Sequence, residues 1–184
     1  MRRIALFPVL TLALTASVYA QKFSNPDTLG PDIPTPMPVI EKMLDAARLK
    51  PTDTLYDLGC GEGRVVIMAA QKYKAHAVGI ELSRDIYEQT SAHIKAMGLD
   101  NLVTIVHGNA LHYDLSPADV VTLYFLTSSN DRLKPVLEKY LKPTARVVSH
   151  DYEIRGWKPS LKESVMVDGR SHMVYVYMMA EKGR

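Results

Sequence analysis

Three glycines on alternate positions, Gly59, Gly61 and Gly63, follow an acid, Asp57, and the short apolar run Thr54-Leu55-Tyr56. The apolar segment Val65-Val66-Ile67-Met68-Ala69-Ala70 comes directly after them. This pattern predicts a strand that ends at Asp57 and a helix that begins near Glu62, with a glycine-rich turn between. Such a turn lets backbone come close to a ligand, because glycine has no Cβ to hold it off. The spacing separates ligand classes. A dinucleotide loop, G-x-G-x-x-G, requires glycine where Arg64 stands. The pattern here is D-x-G-x-G-x-G. A second acid, Glu81, closes the next apolar run, Ala75-His76-Ala77-Val78-Gly79-Ile80. An acid about 20 residues past the glycine turn, at a strand's carboxyl end, is placed to accept both ribose hydroxyls of a nucleoside.

This loop with its two acids resembles the nucleotide loop of the class I S-adenosylmethionine-dependent methyltransferases. The resemblance implies S-adenosyl-L-methionine as cofactor. It implies Asp57, Gly59, Gly61 and Gly63 around the methionine portion and Glu81 on the ribose. Asn109-Ala110 falls where that family often carries Asp and a small or apolar residue at the adenine. Asn109 departs from Asp, and its side-chain oxygen is expected to accept from the adenine amino group.

Three further segments narrow the resemblance: Asp119-Val120-Val121-Thr122-Leu123-Tyr124-Phe125-Leu126, Arg146-Val147-Val148-Ser149-His150 and Ile33-Pro34-Thr35-Pro36. With Trp157-Lys158-Pro159, they resemble bacterial relatives of the lysine methyltransferases that modify the ATP synthase c subunit and the adenine nucleotide translocase. The resemblance runs from about Pro31 to about Pro159 and implies a protein lysine amine as methyl acceptor. Tyr124 then lines the acceptor's way in, and His150 is a nearby candidate for catalysis. Each has a plainer reading: Tyr124 as an aromatic plug beside the adenosine, His150 as a hydrogen-bonded strand end. Thr35 and Pro36 either cover the cofactor or only start the first helix. Two other functions fit the same residues: a small-molecule O- or N-methyltransferase, and an exported, non-catalytic cofactor-binding protein.

Alternating strands and helices must position these residues. The segment 21–35 is rich in Pro, Asn, Asp and Thr and is expected to be extended or turn-like and unpacked. Thr35 is expected to cap a helix that has Pro36 in its first turn and runs to about Leu49. Strands are expected at Asp53–Asp57, Ala75–Glu81, Leu102–Val106, Ala118–Tyr124 and Ala145–His150. Helices are expected at Glu62–Tyr73, Arg84–Met97 and Asp131–Leu141. Gly98 caps the second of these, and Pro135 in the third is tolerable only near a helix start. Leu161–Val167 and Ser171–Met179, around Asp168-Gly169-Arg170, read as a hairpin. Strands joined by helical crossovers imply a doubly wound, Rossmann-like α/β sheet, mostly parallel. The family resemblance gives it seven strands in the order 3-2-1-4-5-7-6, with strand 7 antiparallel.

A chain of 184 residues, 47% hydrophobic, suffices for one domain with a full core but leaves no room for a second large one. Residues 36–184 are expected to form it. Residues 1–20 read as a secretory signal: Arg2-Arg3, an apolar core from Ile4 to Leu14, and Ser17-Val18-Tyr19-Ala20 as cleavage site before Gln21. The protein is therefore expected to be periplasmic or secreted, with no membrane span after cleavage, or membrane-anchored where the signal stays. Outside Arg2 and Arg3, Lys plus Arg falls from 22 to 20 and equals the 20 Asp plus Glu, so no nucleic-acid partner is expected. Cys60 is the single cysteine and forms no disulfide within the chain. The six histidines show no H-E-x-x-H pattern, and no metal is expected.

Overall fold

The computed structural model describes residues 26–181. The expectations on residues 1–20 lie outside the described residues. Seven strands form one sheet: β1 (Thr54–Leu58), β2 (His76–Glu81), β3 (Val103–His107), β4 (Val120–Leu123), β5 (Arg146–His150), β6 (Leu161–Val167) and β7 (Arg170–Met178). Their order is β3-β2-β1-β4-β5-β7-β6, as expected, with β7 antiparallel to both neighbours. The inner strands are apolar on both faces, as in β4, where all of Val120-Val121-Thr122-Leu123 is buried.

Four helices cover the sheet: α1 (Met37–Ala46), α2 (Arg64–Tyr73), α3 (Arg84–Ala96) and α4 (Thr127–Tyr140). One face packs Val39, Ile40 and Leu44 of α1 with Val66 and Ala70 of α2 and Ile94 of α3. The other packs Leu133 and Leu137 of α4 with Ile154, Trp157 and Tyr177. Two-sided burial fixes the height of the sheet between the layers. It leaves only the strand ends open to ligands.

The helix ends depart from the sequence in instructive ways. Pro36, not Thr35, occupies the N-cap of α1, and no side chain caps it. The Thr35 hydroxyl faces His150 Nδ1 at 3.4 Å instead. Helix α1 stops at Ala46 because Arg48 takes a left-handed conformation, φ 51°, and Leu49 N–H closes back on Leu44 O. Helix α4 starts at Thr127, four residues before the expected Asp131, so Pro135 lies inside it. Tertiary bonds secure that early turn: Ser129 Oγ donates to Leu29 O, and Asn130 Nδ2 donates to Tyr152 O. They offset the hydrogen bond that Pro135 cannot make.

The segment before Pro36 also differs from expectation. Residues 26–35 form a strap across the carboxyl end of the sheet. Leu29 is buried in the α4-side core, and Arg132 Nη1 donates to Thr28 O. Burying one leucine stabilises by about 1.5–3 kcal/mol, enough to hold an otherwise irregular segment in place. The β6–β7 hairpin is as expected. Asp168 and Gly169 both have positive φ, which matches the right-handed twist of the strands. Among the described residues, no helix is long and apolar enough to cross a membrane.

Candidate active site

A cleft opens beyond the carboxyl ends of β1 and β4. Here adjacent strands lead their chains to opposite sides of the sheet, which is where open α/β sheets bind ligands. Its walls are Asp57 to Gly61 from the loop, Tyr124 and Phe125 from the end of β4, and Pro31 to Thr35 from the strap.

The glycine loop is tied down by its backbone. Gly59 N–H and Cys60 N–H both donate to Ile80 O, at 2.8 and 3.1 Å. Thr90 Oγ1 donates to Gly61 O at 2.8 Å. All three glycines are required by both conformation and space: Gly63 has φ 79°, and a Cβ there would lie 2.9 Å from Thr90 Cγ2. Gly59 has φ 71°, and a Cβ there would lie 2.7 Å from the Phe125 ring. Gly61 has φ 51°, and its Cβ would lie 2.9 Å from Asp32 Oδ1. The strap and Phe125 thus lie directly against the loop.

Asp57, next to last in β1, is almost buried, and Thr122 Oγ1 of β4 donates to its Oδ1 at 2.7 Å. Burial pushes the Asp57 carboxyl up to about 7, with the Thr122 bond opposing and the Glu81 charge adding to the rise. Burial also raises the Cys60 thiol. Cys60 Sγ fills the space a side chain at Gly79 would need. It is a packing residue.

Glu81 and Asn109 stand on the β2–β3 side of the loop. The Glu81 carboxylate bridges two backbone donors, Gly61 N–H at 3.0 Å and Ser83 N–H at 2.8 Å. It therefore shapes the loop, and its remaining lone pairs are available to hydroxyl donors. Asn109 is held by a local turn. Its Oδ1 accepts from Leu111 N–H at 2.9 Å, which starts a short 3-10 turn with Ala110 buried in it. The oxygen expected to meet an amino group is engaged, and the buried Nδ2 is the atom without a partner. Asn109 thus offers an unused buried donor, Nδ2, beside an oxygen that keeps one lone pair.

Tyr124 lines the cleft, half-buried, and burial raises its phenol above the usual range. His150 is fully buried and is not part of the cleft wall. Its Nε2 meets His172 Nδ1 at 2.9 Å and its ring backs Tyr124. Burial holds it neutral, lowered to about 4. The expected catalytic candidate His150 thus lies behind Tyr124 rather than on the cleft wall, with its ring supporting that of Tyr124. Four residues near the site escaped the sequence reading. Asp32 and Phe125 become visible only when strap and loop meet. Asp151 and His172 come together only through the pairing of β5 with β7.

The loop offers closely approachable backbone, with acidic side chains and the unpartnered Asn109 Nδ2 near it. A family model described as the ANTKMT methyltransferase domain matches residues 57–161. The chain belongs to this family. A protein of Saccharolobus islandicus named protein-lysine N-methyltransferase is 46% identical over 154 residues, covering 82% of this chain and 94% of that one. A crystal structure described as an RNA methyltransferase from Salinibacter ruber, with S-adenosyl-L-homocysteine bound, is 41% identical. It covers 80% of this chain and 94% of that chain, with a TM-score of 0.74. The tRNA m1A22 methyltransferase of B. subtilis, 15% identical at a TM-score of 0.64, shares the fold. The protein is a class I methyltransferase, and its cofactor is S-adenosyl-L-methionine.

Proposed function

We propose that the protein methylates a lysine ε-amine of another protein. The two similar relatives carry names that differ on the acceptor, protein lysine in one and RNA in the other. The charge of the cleft carries the choice. Asp32, Asp57 and Glu62 line it, and its basic residue, Arg64, is bonded to Glu62. An RNA acceptor calls for a basic surface that neutralises phosphates. Among the described residues the cleft wall presents no such basic cluster, which favours a lysine amine over RNA.

On this reading Gly59, Gly61 and Gly63 admit the methionine portion, Glu81 accepts from the ribose and Asn109-Ala110 meets the adenine. The cofactor supplies a methyl on a sulfonium, so attack by the amine nitrogen breaks the carbon–sulfur bond without metal or acid. The chain's own residues orient the partners and exclude water. Tyr124, held against His150, walls the acceptor's path. A lysine ammonium must lose its proton before it has a lone pair to attack with. Asp57 and Asp32 offer carboxylates to the cationic tail of the cofactor.

Export belongs to the same proposal and rests on the basic-apolar-small pattern of residues 1–20. Mass spectrometry of the protein from its host is expected to find an N-terminus at or close to Gln21. The acceptor is tested with methyl-labelled cofactor, envelope and cytosolic protein fractions, and RNA from the same cells. Label is expected on lysine. Label on RNA, or on a small metabolite, overturns the reading.

A further inference from the structure

Behind Tyr124, away from the cleft, three side chains converge: His150 at the end of β5, Asp151 in the turn after it and His172 on β7. His150 Nε2 lies 2.9 Å from His172 Nδ1 and 3.4 Å from Asp151 Oδ2, and His172 Nδ1 lies 3.3 Å from the same oxygen. We propose that these three atoms bind one divalent transition-metal ion of the zinc class.

The distances fit. Ligands held at 2.0–2.1 Å by a tetrahedral zinc stand about 3.4 Å from one another. Two edges of the triangle already have that length, and the third needs to open by about half an ångström. Two imidazoles and one carboxylate form a common donor set for zinc and leave a fourth position for water.

Hydrogen bonding serves the cluster less well. The two ring nitrogens face each other and a carboxylate oxygen that already accepts from Arg170 Nη2, and all three atoms are nearly removed from solvent. An ion satisfies them together.

The surroundings also resemble a built site. Ligating side chains are usually fixed by partners on their far atoms. Asp151 Oδ1 accepts from Met173 N–H at 2.8 Å, and His150 Nδ1 faces Thr35 Oγ1 at 3.4 Å. Arg170 Nη2 donates to Asp151 Oδ2 at 3.0 Å. A carboxylate oxygen has two lone pairs, so the guanidinium and an ion are compatible there. The backbone at Asp151 is left-handed, φ 58°, a strained conformation for a residue other than glycine. That turn directs the carboxylate back between β5 and β7. No sequence motif announces the site, because its ligands come from a strand end, a turn and a second strand. An ion there clamps β5 to β7 and fixes His150, on which Tyr124 rests.

The test uses tag-free protein stripped with a chelator, then titrated with Zn2+ by calorimetry and with Co2+ by visible absorption. One ion per chain is expected, with d–d bands of a low-symmetry nitrogen and oxygen site and a rise in Tm on zinc addition. Asp151→Asn and His172→Gln are each expected to weaken binding at least tenfold while circular dichroism stays that of the folded chain. Absence of binding by the folded wild-type chain overturns the proposal. So does binding of wild-type strength in both variants, which would assign the ion to His76, His93, His107 or His112. Neither readout depends on the methyl acceptor.

Discussion

The ring of Tyr124 lies on the ring of His150, centroids 3.9 Å apart and planes 31° from parallel. One residue directly follows β4 and faces the cleft; the other ends β5 and is wholly buried. The contact divides labour at the site. Tyr124 presents a surface to ligands, and His150, anchored between Thr35 and His172, keeps that surface from moving. A tyrosine free to swing would open the site to water.

Glu81 sets the shape of the loop as well as the expected ribose contact. Hydrogen bonds to a charged group contribute roughly 1.5–3 kcal/mol each. Glu81→Ala removes its bonds to Gly61 and Ser83 N–H along with those to the ribose. Affinity for S-adenosylhomocysteine is expected to fall by at least about a hundredfold in calorimetry. Glu81→Gln keeps an acceptor and is expected to lose less. Unchanged affinity in Glu81→Ala removes the ribose assignment.

Gly59 tests the cradle. An alanine there must hold φ 71° and place its Cβ 2.7 Å from the Phe125 ring. The left-handed backbone alone costs about 1–3 kcal/mol. Gly59→Ala is expected to lower Tm and cofactor affinity. Phe125→Leu, added to it, is expected to restore part of the Tm, because it relieves the contact and leaves the backbone strain. A double-mutant cycle with no coupling between the two positions would show that the contact is unimportant.

The topology was legible because hydrophobic runs on inner strands and glycine turns at their ends are local signals. Asp57, Gly59, Gly61 and Gly63 come together as read, since one loop carries them all. What the sequence hid is relational. Asn109 has the residue type for accepting from an amino group, yet the adjacent turn takes its oxygen. Thr35 has the type for a helix cap, yet its hydroxyl faces a histidine 115 positions away. Pro135 reads as a boundary, and only bonds from Ser129 and Asn130 to distant backbone let the helix start before it. For Thr35 and Pro135 a long-range partner outbids a local preference, and for Asn109 a local turn engages the group expected to meet a ligand.

Asp57 predicts a pH dependence. Burial raises its carboxyl from 3.8 to about 7, so the folded chain holds a proton that the unfolded chain releases in that interval. Its contribution to stability is therefore fully present at low pH and is lost as pH rises through about 7. Binding of a cationic cofactor favours the ionised form. Affinity is expected to rise with pH up to about 7 and then level, with proton release on binding below that point. Calorimetry in buffers of different ionisation enthalpy measures the release. Asp57→Asn is expected to abolish it, weaken binding and make the free protein more stable than wild type near neutral pH. Proton release that persists in Asp57→Asn would move the titration to another group.

Tyr124 decides between the acceptor and the cofactor side of the cleft. Its aromatic face, backed by His150, is assigned to the acceptor, so its loss should act on turnover rather than on cofactor binding. Tyr124→Ala leaves a gap where water and misaligned amines enter, and a misplacement of about an ångström costs on the order of a hundredfold in rate. The expected result is kcat lowered by about ten- to a hundredfold, with S-adenosylhomocysteine affinity within about twofold of wild type. Tyr124→Phe keeps the stacking on His150 and is expected to retain most of the activity. Because the nucleophile is the free amine, the rate of all three proteins should rise with pH until the bound lysine is deprotonated. If Tyr124→Ala instead loses cofactor affinity while kcat at saturating cofactor holds, Tyr124 is a wall of the adenosine pocket. The acceptor path must then run along Ile33 and Thr35 of the strap, which line the other side of the same cleft.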